Sequence, residues 1–270
     1  MNNYRNIIQY ALNTIKPRHI FIIFFGYLLF CLIAIMAFDF YDIAGVRFFM
    51  EAIDLDKPRV WFHIFNEQGP TEMLQWLFLG LITLASIFTS GQLLEHNNHR
   101  LGYFWFLIGI LTLILLMEDG ANVSHRFNQY MGYISPETLL NSRAIVYLMY
   151  IIIALIPIVK YWKDFYYYKL SFKYLISGYL VYGFAGFFSV FLGVLGISRA
   201  PIGNFIINNL HGGILNYADP LYLNEDVGEI FMDTVVEESI ELFAVCLIFS
   251  SIVSFVQSYN DNMENYDSIN

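Results

Sequence analysis

Apolar residues gather in six stretches along this chain, roughly Ile20–Phe38, Glu72–Ser90, Leu101–Glu118, Ala144–Tyr161, Tyr174–Ile197 and Glu237–Gln257. Each is close to the roughly 20 residues that an α-helix needs to cross a bilayer core of about 30 Å. The pattern predicts an all-α fold, a polytopic membrane helix bundle of about six transmembrane helices. Two polar segments flank it. Residues 1–19 place Ile7, Ile8, Ala11 and Ile15 on one face, as in an amphipathic helix lying on a membrane surface, and residues 258–270 read as a disordered polar tail. Residues 20–257 read as one membrane domain. The first apolar run is too long for a signal-peptide core and lacks a good cleavage site, which makes it an uncleaved helix.

The connections between the runs are unequal. Residues 39–70, 122–143 and 198–232 form three long loops on one side, whereas the loops on the other side are short. Within the first, Arg47 to Leu55 suits a short helix, and the aromatic stretch at Trp61, Phe62, His63 and Phe65 suits anchoring at the headgroup level. The third mixes glycines with Phe205, Ile206, Ile207 and Leu210, a composition that favours a lid or re-entrant piece. In the fifth run, Ala185, Ser189 and Gly193 recur every four residues as a small-residue stripe for close helix packing.

Composition agrees with the pattern: 57% of the 270 residues are hydrophobic and 14% charged, far from the balance of a soluble domain. Charge then orients the bundle. With both termini inside, the short-loop side holds eight basic residues against six on the other side, an N-in/C-in arrangement by the positive-inside rule. Acidic residues divide more sharply, eighteen of twenty-three falling outside, so the outer face carries a net −12 and the inner +3. Such an outer face attracts cations, and no basic run of the kind that binds nucleic acid occurs. Cys31 and Cys246 both lie within apolar runs, so they supply no disulfide framework.

Candidate chemistry concentrates where three runs reach the outer surface. The second opens on Glu72, with Gln75 a turn deeper. The third closes on Glu118 and Asp119, with His125 seven residues after Glu118. The last opens on Asp233, Glu237, Glu238 and Glu241. If the third helix continued past Gly120, Glu118 and His125 would share a face; Asp233, Glu237 and Glu241 are spaced to share another. Ionisable groups at that depth are costly and turn towards a protein interior, a partner or an aqueous cavity. Carboxylates so close must be protonated, paired with an arginine such as Arg126, Arg143 or Arg199, or bound to a metal. The candidate acid–base residues are therefore Glu118, Asp119, His125, Glu238 and Glu241. The candidate ligands of a divalent metal are Glu72, Glu118, His125, Glu238 and Glu241.

This combination of Glu72, the Glu118-Asp119…Ser124-His125 block and Glu237-Glu238-x-x-Glu241-Leu242 resembles a loose group of bacterial multi-pass membrane proteins. The resemblance implies residence in a bacterial inner membrane with the site on the outer, periplasmic side. Three functions fit the residues. One is an enzyme, with or without a metal, acting on a lipid or lipid-linked substrate at the outer leaflet. Another is a proton- or cation-coupled transporter. The third is a structural or assembly protein whose acidic cluster is neutralised internally.

Overall fold

Helix is the only regular structure among the described residues, which in this computed structural model are 10–52, 60–66, 68–134, 142–186, 192, 195–210 and 227–267. The elements are α1 (Pro17–Ile35), α2 (Val46–Ala52), α3 (Val60–Phe65), α4 (Pro70–Glu95), α5 (His99–Ala121), α6 (Val123–Ile134), α7 (Ser142–Phe165), α8 (Lys169–Gly186), α9 (Ala200–Leu210), α10 (Val227–Phe231) and α11 (Glu237–Asp267). Among the described residues, five helical runs are long and apolar enough to cross a membrane: Pro17–Phe40, Val60–Glu95, His99–Ala121, Ile145–Phe165 and Val227–Met263. The protein is thus all-α and built for a lipid bilayer. The fifth expected run is described only to Gly186, as α8; most of its remainder, with Ser189 and Gly193 of the small-residue stripe, lies outside the described residues.

The chain divides into two compact units. The first comprises Met1–Ile22, Trp76–Gly183 and Phe243–Asn270. Its centre is mainly apolar: Leu79, Ile82, Phe104, Trp105, Ile108, Leu175, Ile252 and Phe255 have essentially no exposure. Glycines set the closest helix contacts. A Cβ on Gly178 would lie 2.6 Å from Ile248 Cγ1 and 3.1 Å from the Ala244 carbonyl, and one on Gly109 would lie 2.9 Å from Ile87 Cγ1. Hydroxyls tie helices across these approaches. Thr83 and Thr112 are 3.0 Å apart, and Ser171 and Ser251 each donate to the other's backbone carbonyl, at 2.8 and 2.9 Å.

One end of this unit is basic and aromatic. Arg100 pairs with Asp164 at 3.0 Å, and Phe255 packs against Trp105, Phe165 and Tyr168. Both chain ends come to it. Residues 10–14 are helical, with Leu12 buried, and Gln257 Nε2 donates to the carbonyls of Leu12, Asn13 and Ile15 while Asn260 reaches Asn13 at 2.9 Å. The segment expected to lie on the membrane surface is therefore held by α11 over residues 10–14; residues 1–9 are outside the described set. The tail also departs from expectation. Instead of disorder from residue 258, α11 continues to Asp267, because Gln257 and Asn260 find partners and Tyr259 stacks on Phe255.

The second unit comprises Ile23–Gln75 and Phe184–Leu242. Its core joins Cys31, Ile35 and Phe40 to Trp61, Phe62 and Phe65 of α3, Ile207 of α9 and Phe231 of α10. Trp61 stands edge-on to Phe231 with centroids 5.8 Å apart. Those α3 aromatics were expected at the headgroup level, but the helix turns them inward and only His63 is exposed. The segment between α1 and α2 reverses sharply, with Asp42, Ala44 and Gly45 all at positive φ (47°, 66° and 67°). The short helix expected near Arg47 is present as α2.

Helix also occupies part of the second long loop, where only connection was expected, and of the third, where a lid or re-entrant piece was expected. Residues 123–134 form α6, and residues 200–210 form α9; residues 135–141 and 211–226, with His211, lie outside the described set. α9 and α10 cross at a pair of glycines: a Cβ on Gly203 would collide with the Gly228 carbonyl, and one on Gly228 with Ala200 O and Asn204. The last helix does not begin at Glu237. It runs from Val227 through a π turn at Met232–Val236 into α11.

Candidate functional site

Short helices need their first N–H groups satisfied, since these have no partner within the helix. In this protein carboxylates from elsewhere in the chain do much of that work. In the first unit, α5 ends at Ala121, Asn122 takes the left-handed conformation (φ 48°), and α6 starts afresh at Val123. The break cancels the expected common face of Glu118 and His125, because one continuous helix does not carry both. It turns the Ser124 N–H back onto the Glu118 carboxylate instead, at 3.2 and 3.0 Å from its two oxygens. Tyr150 Oη of α7 donates to Glu118 Oε2 at 2.8 Å, and Tyr182 Oη of α8 donates to Asp119 Oδ1 at 2.9 Å.

The result is a polar centre of two consecutive carboxylates and two phenols. Glu118 is 7% exposed. Beside it the Ser124 hydroxyl is fully buried and has no hydrogen-bond partner among the described residues. The phenols went unnoticed in the sequence because tyrosines abound, with 20 in the chain, and no spacing singles these two out. The position of the His125 imidazole lies outside the described residues.

The second unit holds the other carboxylates. Glu72 is 7% exposed and accepts the backbone N–H of Gln68, bracing the entry to α4. One turn on, Gln75 Nε2 donates to Glu241 Oε2 at 2.9 Å, so the expected meeting of the second and last runs is real for this pair. Glu238 sits half-buried in the first turn of α11.

Asp233 and Glu237 go elsewhere. Both pair with Arg199, Glu237 at 3.5 Å, and Glu229, four residues before Asp233, joins them at 3.0 Å. The acidic stripe around Arg199 is thus Glu229, Asp233 and Glu237, whereas Glu241, at the same interval along the sequence, takes Gln75. The π turn between Asp233 and Glu237 alters the register that straight α-helical spacing assumes. The Arg199 side chain is 8% exposed and carries one positive charge against three carboxylates.

Glu229 also caps α9: its Oε2 accepts from the backbone N–H groups of Arg199 at 2.6 Å and Ala200 at 2.8 Å, and from the Ser198 hydroxyl at 3.0 Å. Asp39, which the sequence did not mark, does the same for α3. It is fully buried, and its two oxygens accept the N–H groups of Val60 at 2.8 Å and Trp61 at 2.7 Å. Its signal was only a lone acid at the end of an apolar run.

Among the described residues no three His, Cys, Asp or Glu side chains gather as a metal-ligand set. Comparison with protein-family models, with curated proteins and with solved structures returns no match.

Proposed function

We propose that the chain is an integral membrane enzyme acting on a lipid or lipid-linked group, with Glu118 and Asp119 as its acid–base residues. The observation that carries this reading is the pair of phenol–carboxylate contacts, Tyr150–Glu118 and Tyr182–Asp119, beside the buried Ser124 hydroxyl. A carboxylate held in place by a phenolic hydrogen bond is positioned to take up or release a proton of its own, and a hydroxyl left without a partner has bonding capacity for a ligand. The site faces outward in an N-in/C-in bacterial inner membrane protein; the meeting of residues 13 and 260 at the basic end of the first unit supports both termini on one side. His125 joins Glu118 and Asp119 as a further acid–base group or metal ligand; Glu72, Glu238 and Glu241, in the second unit, are further acid–base groups or ligands of a divalent metal in their own right.

The capping geometry favours a second reading, a structural or assembly protein whose outer carboxylates hold short helices in place. Glu118→Gln separates the two, because the amide oxygen still accepts the Ser124 N–H while the proton chemistry is lost. The test is mass spectrometry of lipids and lipid-linked intermediates from cells expressing the full chain or this variant. The enzyme reading expects a species that changes with the wild type and not with Glu118→Gln at equal protein level. No lipid change with the wild type, or the same change with the variant, overturns it. Metal analysis of the purified wild type and of Glu241→Gln and His125→Ala tests the metal variant of the proposal.

A further inference from the structure

At the basic end of the first unit, α4 and α11 leave a cavity of about 60 Å³ between them. Thr89 and Gln92 line it from α4, His96 from the turn that follows, and Tyr259 and Asn260 from α11, with apolar side chains completing the wall. Thr89 is 3% exposed, and its hydroxyl has no hydrogen-bond partner among the described residues. That is unusual for a threonine inside a helix, which ordinarily donates to the carbonyl one turn back. Thr83 does so to Leu79 at 2.9 Å, and Thr112 to Ile108 at 3.0 Å. Thr89, at the cavity wall, instead leaves its hydroxyl without a partner among the described residues.

We infer that this cavity is a water-binding site, holding about two molecules that bridge Thr89 to the polar groups of both helices. A water takes up about 30 Å³ in the liquid and needs two to four polar partners to be held. The volume suits two, and five polar side chains border it. An apolar cavity of that size would stay dry; this one has a hydroxyl that nothing else satisfies. Thr89 lies two helical turns, about 10 Å, deeper than the exposed His96. Water therefore enters the bundle from this end, in a part of the spans that carries almost no charge.

The sign of one substitution tests it. Thr89→Val keeps the shape and removes only the hydroxyl. If the cavity is dry, the change relieves an unpaired buried group and the melting temperature of the full chain in detergent or nanodiscs rises or holds. If waters bridge the helices, the melting temperature falls by about 2–4 °C, while Thr89→Ser stays near the wild type. A fall supports the inference, and a rise or no change overturns it.

A second measurement stands apart from stability. In a background with Cys31 and Cys246 replaced by Ala, Thr89→Cys is expected to react with a small water-soluble methanethiosulfonate. Ile82→Cys, fully buried and away from the cavity, is expected not to react. Equal reactivity at the two positions overturns the inference.

Discussion

Glu118 and Ser124 lie six residues apart, yet the N–H of Ser124 falls within 3.2 Å of both Glu118 carboxylate oxygens. The carboxylate that ends one helix begins the next. A side-chain cap of this kind contributes about 1 kcal/mol, and a charged acceptor somewhat more. Glu118→Ala is therefore expected to lower the unfolding free energy by about 1–2 kcal/mol and to loosen α6 specifically. Hydrogen exchange of the Val123–Ile134 amides checks the location. Unchanged protection there would remove the cap from the account of α6.

Asp39 gives a sharper case, because both of its oxygens accept N–H groups of α3. Asparagine is usually as good a cap as aspartate. Here its amide NH2 would face a backbone donor, so Asp39→Asn is expected to destabilise the chain by about 1–3 kcal/mol, nearly as much as Asp39→Ala. Thermal unfolding of the two variants side by side decides it.

Arg199 holds Glu229, Asp233 and Glu237 from an 8% exposed position. Removing one partner of a buried charge cluster costs about 3–5 kcal/mol. Glu229 and Asp233 are 31% and 45% exposed, so solvent screens part of the repulsion left behind and about 2–3 kcal/mol is expected for Arg199→Met. Arg199→Lys is expected to recover only part of the loss, since one ammonium cannot reproduce the fork that reaches three carboxylates. Full recovery with lysine would show that charge alone matters.

The glycines separate by what surrounds them. Gly203→Ala and Gly228→Ala place a methyl against backbone where α9 and α10 cross, and each is expected to lower expression and melting temperature markedly. Gly80, inside α4, has open space around its Cβ position, so Gly80→Ala is expected to be neutral or to stabilise by up to about 1 kcal/mol. An intact fold in Gly203→Ala would mean that the two helices do not touch there.

What the sequence made legible was whatever repeats locally. Apolar runs give the spans, and their acidic ends mark the buried carboxylates of each unit, Glu118 in the first and Glu72 in the second. Three things were hidden. Caps made across long intervals, such as Asp39 to Val60 or Glu229 to Arg199, leave no pattern, because donor and acceptor meet only after folding. Burial was hidden too: Trp61, Phe62 and Phe65 read as interface anchors until α9 and α10 supply a surface to cover them. Helix breaks were the third. One residue in the left-handed conformation, Asn122, separates the face of Glu118 from that of His125.

The π turn at Met232–Val236 has a consequence of another kind. Such a turn is what an α-helix becomes when it absorbs one extra residue without breaking. Removing a single residue there would restore an ordinary helix and swing everything before it by about 100° about the axis relative to everything after. Glu229 and Asp233 would then leave Arg199 while Glu241 stayed beside Gln75. The spare residue thus acts as a phase setter, bringing Glu229, Asp233 and Glu237 from both sides of the turn onto one arginine.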